Sequence, residues 1–199
     1  MDGYTAYRQR LVAVLDTREE PPAPRHGLLV SAFAEQGFDL RAVAERRWIR
    51  YGGELSGFVD LGAERVVSLH AWAELADPLG PAEVPFLEQA RLGGSLLELP
   101  GFYRGQLIGR SALVATLQYR YPVWARADAS LFVAAGNVFG AHFEDLALEL
   151  VRLSFGLALQ VPSDDGHGFL VALAFGTSTL EQGASVESVR FLVGGAPAF

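Results

Sequence analysis

A two-residue alternation of apolar and polar side chains recurs along this chain and limits the folds that it can adopt. It is clearest in residues 151–161, where every second side chain is apolar and those between them are polar or small. Successive side chains of a β-strand point to opposite faces, so this segment predicts a strand with one apolar face. Its length suits a tilted strand that crosses a membrane, which needs about 9–11 residues.

The same alternation predicts an all-β fold of nine strands. They are expected near 4–16, 26–37, 48–61, 65–76, 110–124, 129–139, 149–161, 168–177 and 187–199. Short links such as 62–64 alternate with longer ones, of which 77–109 is the longest. Short turns at one end and long loops at the other are typical of outer-membrane barrels, so we predict an antiparallel meander. Such barrels have an even number of strands, so we expect an open sheet with edges at 4–16 and 187–199.

Composition excludes several classes of function. Half of the residues are hydrophobic, yet no stretch approaches the ~20 apolar residues that a membrane helix needs. The net charge is −7 and no Lys/Arg-dense run exists, so nucleic acid is not an expected partner. Cys is absent and the four His are scattered, so no disulfide, metal or other cofactor is predicted.

No motif in the chain predicts an enzyme. Gly166-His167-Gly168 lacks a partnered nucleophile, and Asp164-Asp165 is typical of a turn. Residues 101–105 do not form a phosphate loop, because the Lys-Ser/Thr pair and the following helix are missing.

Residues 92–199 carry motifs that resemble the C-terminal barrel region of the bacterial surface antigen family, the Bam/Tam-type outer-membrane assembly proteins. The motifs are Leu92-Gly93-Gly94, Leu99-Pro100-Gly101-Phe102, the run 109–122, Ala134-Ala135-Gly136-Asn137-Val138-Phe139, the strand 153–159 and the terminal segment 191–199. Their order matches five family strands that follow one long outer loop, whereas residues 1–91 match only in strand rhythm. The resemblance implies that residues 1–199 are the C-terminal portion of a sixteen-stranded transmembrane barrel.

The resemblance also implies a function: insertion or translocation of other outer-membrane proteins, in the bacterial outer membrane. The implied partners are outer-membrane lipid, client β-barrel proteins and the lipoproteins of the assembly machinery. An open strand edge would offer its unpaired N–H and C=O groups to a client strand. The last strand is expected to be weak, because it contains glycine and proline. Its family signal consists of Phe191, Gly194 and Phe199.

The link 77–109 is expected to fold toward the lumen, with its loop motif near the wall formed by strands 110–161. That motif comprises Leu99, Pro100, Gly101, Phe102 and Arg104. In the family the second motif position is usually an arginine that folds back into the lumen, and Pro100 stands there in this chain. Arg104, two residues beyond Phe102, is therefore the alternative arginine.

The two faces of the strands predict which side chains meet lipid and which line the lumen. The polar positions expected to face the lumen are Thr116, Gln118, Arg120, Arg152 and Gln160. Aromatic residues near strand ends predict an interfacial girdle, the members being Trp48, Tyr51, Tyr119, Tyr121, Trp124, Phe139 and Phe199.

Two other functions stay open at this stage. One is a membrane barrel that anchors or translocates an N-terminal passenger, lipase-like or of the two-partner secretion type. The other is a soluble β-barrel or sandwich that binds a ligand. Residues 1–4 lead straight into a strand-like segment without the regions of a signal peptide. The outer-membrane interpretation therefore expects an N-terminal part that carries the signal, the soluble repeats and seven earlier strands.

Overall fold

A computed structural model, described here for residues 4–19, 24–124, 127–161 and 168–195, confirms the predicted antiparallel meander. Its main sheet has nine strands, each paired with its neighbour along the chain: β1 (Ala6–Asp16), β2 (Gly27–Asp39), β3 (Arg47–Asp60), β4 (Val66–Pro78), β7 (Ser111–Trp124), β8 (Ala127–Phe139), β9 (Arg152–Val161), β10 (Phe169–Thr179) and β11 (Val186–Gly195). The predicted strand limits lie within three residues of these, apart from the last end, since 196–199 lie outside the described residues.

The sheet is open at both ends. β1 pairs only with β2, and β11 pairs only with β10, so within the described ranges no ladder joins β1 to β11. The backbone groups on the outer side of each edge strand are consequently available for another strand.

The remaining elements are short and lie in the connections. A separate two-stranded sheet pairs β5 (Ala90–Leu92) with β6 (Leu107–Gly109). Three 3₁₀ turns span Phe86–Glu88, Ala141–Phe143 and Leu148–Leu150. In the described part of the chain, no helix has both the length and the apolar content needed to cross a membrane.

One face of the main sheet is covered by the link between β4 and β7, which we call the long connection (residues 79–110). In β7 the buried and exposed side chains alternate, with Val114 and Thr116 buried and Leu113 and Leu117 exposed. The long connection packs on the buried side, so we call this the covered face and its opposite the exposed face. The exposed face carries the apolar half of the alternation.

The prediction of an interfacial aromatic girdle is wrong for two of its residues, Trp48 and Phe139. Trp48 is fully buried on the covered face, where its ring meets Tyr4 edge to face at 6.1 Å. It also lies over Gly37, because a Cβ on that glycine would be 2.4 Å from the indole. Phe139 is buried as well, against Phe143. Alternation assigns a face, but it does not reveal which side chains a loop later covers.

Candidate functional site: the loop docked on the covered face

The loop motif lies flat against the covered face and forms part of its core. We call residues 99–104 the docking loop. Leu99 and Phe102 are fully buried there, in one cluster with Ala112 and Val114 of β7 and Ala134 of β8. The small side chains on the strands leave room for the two large ones on the loop, so the contact is close and apolar.

Side chains from two further strands bind the backbone of the docking loop. The N–H of Gly101 donates to Ser154 Oγ of β9 at 2.8 Å. Ser188 of β11 donates its hydroxyl to the carbonyl of Gly101 at 2.7 Å. Buried polar backbone groups need such partners, so these hydrogen bonds allow the docking loop to be buried against the sheet without unsatisfied donors or acceptors at Gly101.

Arg190 of β11 binds the docking loop through hydrogen bonds to two of its carbonyls. Its guanidinium donates to the carbonyl of Pro100 at 3.2 Å and also to the carbonyl of Phe102. It lies over the ring of Tyr103, 4.7 Å from the centroid. Charge-assisted hydrogen bonds are stronger than neutral ones, so Arg190 is a principal anchor of the loop.

The position of Gly101 requires a glycine. A Cβ at this residue would lie 2.4 Å from the backbone nitrogen of Gly176 and from the carbonyl carbon of Phe175. Contacts that short do not occur between real atoms, so any larger residue would push the loop away from β10. Leu99 is also constrained, because its φ of 49° lies in the left-handed region that non-glycine residues rarely adopt.

Pro100, which stands where the family usually has an arginine, and Arg104, the alternative arginine, have different environments. Pro100 is fully buried and contributes its carbonyl to Arg190. Arg104 is exposed, and among the described residues no hydrogen bond or ion pair connects its guanidinium with the sheet. The arginine that donates hydrogen bonds to the backbone of the docking loop is thus Arg190 of the last strand.

The five polar residues expected to face the lumen all lie on the covered side. Thr116 donates to the carbonyl of Leu97 in the long connection at 2.9 Å, and Gln118 is buried beside it. Arg120 donates to the carbonyl of Pro24 at 2.8 Å.

Arg152 and Gln160 mark the two ends of β9. Arg152 forms an ion pair with Glu187 at 2.8 Å, and its guanidinium carbon lies 5.8 Å from the centre of the Phe102 ring. Gln160 is buried, and in the described part of the chain its side-chain nitrogen has no hydrogen-bond partner.

A polar cavity of ≈ 650 Å³ separates the long connection from strands β1–β4. Charged side chains predominate in its wall, among them Arg8, Arg10, Arg50, Glu74, Glu98 and Arg104. Arg50 forms ion pairs with Glu74 at 2.6 Å and with Glu35 at 3.2 Å. Burial raises the pKa of Glu98, and the nearby Glu74 raises it further while Arg104 opposes the shift.

Glu88 attaches the long connection to the start of the chain. It is almost fully buried, and one of its carboxylate oxygens accepts from Tyr4 at 2.6 Å and from Arg8 at 2.6 Å. Burial, together with the hydrogen bond to Glu88, raises the pKa of Tyr4 to about 12. The connection is therefore anchored at both ends of the sheet, by Arg190 at β11 and by Glu88 near β1.

Of the three residues of the terminal-strand signal, Phe191 and Gly194 lie within the described residues. Phe191 is 70 % exposed and belongs to the exposed face of β11. Gly194 pairs with Leu170, whereas Phe199 lies outside the described residues. Within the described ranges, no group of three acidic, His or Cys side chains could hold a metal ion.

Several residues of this site were missed as site residues by sequence reasoning, and all but Ser154, which lies in the motif strand 153–159, belong to no motif. They are Ser154, Ser188 and Arg190 at the docking loop, and Tyr4, Glu35, Arg50, Glu74 and Glu88 around the cavity. Alternation within β11 would have placed Ser188 and Arg190 on the same face, but it would not have named the loop that they bind.

Comparisons with known proteins agree with this fold. The model of the Omp85 superfamily domain matches residues 4–167. The comparison with curated protein sequences gave no significant match. A crystal structure of BamA from Haemophilus ducreyi lacking POTRA domains 1–3 superposes with a TM-score of 0.71 at 20% identity. The match covers 95% of this chain and 42% of that one, so this chain spans less than half of the BamA chain. Because the family model matches most of its length, the chain belongs to the Omp85 superfamily.

Proposed function

We propose that this chain forms the C-terminal part of a barrel in the bacterial outer membrane that inserts or translocates other outer-membrane proteins. The observation that carries the proposal is the outer edge of β11, which no strand of the described residues pairs with, in a sheet of Omp85 type. Unpaired N–H and C=O groups along that edge can hydrogen-bond to an incoming strand. Client β-barrel proteins are thus the proposed partners, together with outer-membrane lipid and the lipoproteins of the assembly machinery.

The distribution of side chains between the two faces supports a position in the membrane. Large apolar side chains fill the exposed face, for example Leu117, Leu131 and Leu157, each about half exposed. The charged and amide side chains Arg120, Arg152 and Gln160 lie on the covered face. We assign the exposed face to lipid and the covered face to the lumen of a sixteen-stranded barrel, which the strands of an N-terminal part would complete.

Adjacent residues of β1 provide a test of the membrane assignment. Leu11 and Val12 are both exposed, at 80% and 56%, but they lie on opposite faces of the strand. Arg at the bilayer midplane costs roughly 2–4 kcal/mol, and less at a lumen position. Leu11→Arg should therefore lower the yield of membrane-inserted protein, and Val12→Arg should leave it near wild type. Equal yields of the two variants would contradict the assignment.

Site-specific photo-crosslinking from β11 tests the proposed activity. A photoreactive residue at Val189 or Val193, both exposed on this edge strand, should crosslink to a nascent outer-membrane barrel protein during its assembly. The control position is Leu113, which is exposed on the same face but lies in the centre of the sheet. Crosslinks to a fused or secreted passenger alone would favour the passenger translocator and overturn the assembly function.

A further inference from the structure

We propose that Ser188 and Arg190 couple the docking loop to the edge strand β11, so that a seated loop holds β11 against β10. This coupling deepens the proposed function, because β11 is the edge on which a client strand would pair. Ser188 and Arg190 are two residues apart and project from the same face of the strand, toward the loop. Arg190 is here a positioning residue, which acts on the edge strand through the loop.

The arginine at this contact lies on the strand, whereas the family resemblance implies an arginine on the loop. There the loop carries an arginine that reaches into the lumen, whereas Pro100 occupies that position here. In this chain the arginine is on the strand, and the loop supplies the carbonyls of Pro100 and Phe102 as acceptors. The cation is thus supplied by β11 and its acceptors by the docking loop.

The edge strand needs this support more than its neighbours do. Among the described residues β11 pairs with β10 alone, and its register with β10 shifts between Gly176 and Thr177. An edge strand that lacks a second partner opens easily, since opening free energies fall toward zero where few contacts hold a segment. The docking loop gives β11 a second set of contacts, which lie across the sheet face instead of along its edge.

Close approach of the backbones makes these contacts possible. Gly101 of the loop and Gly176 of β10 meet without side chains between them, and a Cβ on Gly176 would lie 2.5 Å from Ser188 Oγ and 2.9 Å from the Phe102 ring. A loop held slightly farther from the sheet would therefore lose its hydrogen bonds to Ser188 and to Arg190 together. The coupling thus depends on the seating of a loop that is about 90 residues earlier in the chain.

Amide hydrogen exchange of 186–195 in the membrane-embedded, full-length protein tests the coupling. Arg190→Met removes the guanidinium, and Gly101→Ala prevents seating without altering β11 itself. Either change should speed exchange in β11 by about tenfold, the equivalent of one lost charge-assisted hydrogen bond. Arg190→Lys retains a cation within reach of the same carbonyls and should give an intermediate rate. The control is Arg10→Met, an arginine of the other edge strand that contacts Phe33 and not the docking loop.

The double variant Arg190→Met/Gly101→Ala decides between coupling and a purely local role. If Arg190 acts through the loop, the double variant exchanges no faster than Gly101→Ala alone. Additive rates, or a Gly101→Ala protein with unchanged exchange in β11, would overturn the proposal. If Arg190→Met does not fold, the double variant Arg190→Lys/Gly101→Ala, compared with its two single variants, makes the same decision. The measurement involves no client, so it stands or fails independently of the crosslinking experiment.

Discussion

The long connection meets the two halves of the covered face in different ways. Over β7–β11 it packs directly, with Leu99 and Phe102 buried among alanine and valine side chains and its backbone bound by Ser154, Ser188 and Arg190. Over β1–β4 it packs on Trp48 and Ala76 through Val84, but its residues 87–105 face these strands across a cavity of ≈ 650 Å³ lined mostly by charged residues. The docking loop is thus held by close packing over β7–β11, whereas charged side chains surround the cavity over β1–β4.

This difference shows which contacts fix the position of the connection. Close packing tolerates little displacement, because each atom shift of a fraction of an ångström loses dispersion contacts or creates a clash. Ion pairs around a cavity permit adjustment, since long side chains can follow a moving partner. We therefore expect changes at the β7–β11 contact to shift stability and loop position together, and changes at the cavity to shift stability alone.

Removal of the buried ring tests the packed half most strongly. Phe102→Ala should lower the free energy of unfolding by about 4 kcal/mol, because it leaves a cavity in a closely packed cluster. The matched control is Phe86→Ala in the same connection, where the ring is 64% exposed. Urea unfolding in lipid vesicles, followed by tryptophan fluorescence, measures both variants. A loss at Phe86 equal to that at Phe102 would contradict the division into two halves.

A single arginine tests the cavity half. Arg50→Met should cost about 3 kcal/mol, because it leaves the carboxylates of Glu35 and Glu74 facing one another without their cation. Limited trypsin digestion at Arg104 should remain slow, since the docking loop is held elsewhere. Arg65→Met, at an exposed turn residue, is the control and should have little effect. Rapid cleavage at Arg104 in the Arg50 variant would show that the cavity contacts also position the loop.

A single methyl group tests the close approach at Gly101. Gly101→Ala should lower the free energy of unfolding by about 2 kcal/mol through overpacking, and it should speed cleavage at Arg104. Gly57→Ala is the control, because a Cβ there would meet its nearest neighbour at an ordinary 3.8 Å. A stable Gly101→Ala protein with slow cleavage would show that the sheet can yield at this point.

The smallest effect is expected at the attachment to β1. Tyr4→Phe removes the hydroxyl that donates to Glu88, while Arg8 still binds the same oxygen, so the loss should be about 1 kcal/mol. The phenol of Tyr4 has a pKa raised to about 12, so it should ionise later than the other tyrosines. Ultraviolet titration should show that late component in the wild type and not in Tyr4→Phe. Tyr103→Phe, with an exposed ring, should retain it.

Much of the fold was predictable because the side-chain pattern of a strand depends on residues that are neighbours in the sequence. The alternation that predicted β9 sets the strand and its apolar side, and the short and long links between successive strands predicted their antiparallel order. The girdle prediction at Trp48 failed for a different reason. Its burial depends on Gly37 and Tyr4, which lie in other segments, and no local pattern records them.

The site was predictable only in part, and the arginine shows why. The loop motif indicated where to look, and the departure at Pro100 indicated that the usual contact was missing. Arg190 carries no motif, and its role arises because β11 passes over a loop that is 90 residues away in sequence. The contact between Arg190 and the docking loop could be predicted only if the pairing of β10 with β11 were already known.

The sequence by itself determined the strands and their apolar and polar faces, because these depend on side chains one or two residues apart, and the antiparallel order, because the links between successive strands alternate in length. Only the tertiary structure decided what covers the polar face, which arginine binds the docking loop, and where space remains as a cavity. These features depend on how closely the long connection approaches the face of the sheet. Such distances follow from the packing of the whole chain, and a local pattern does not encode them.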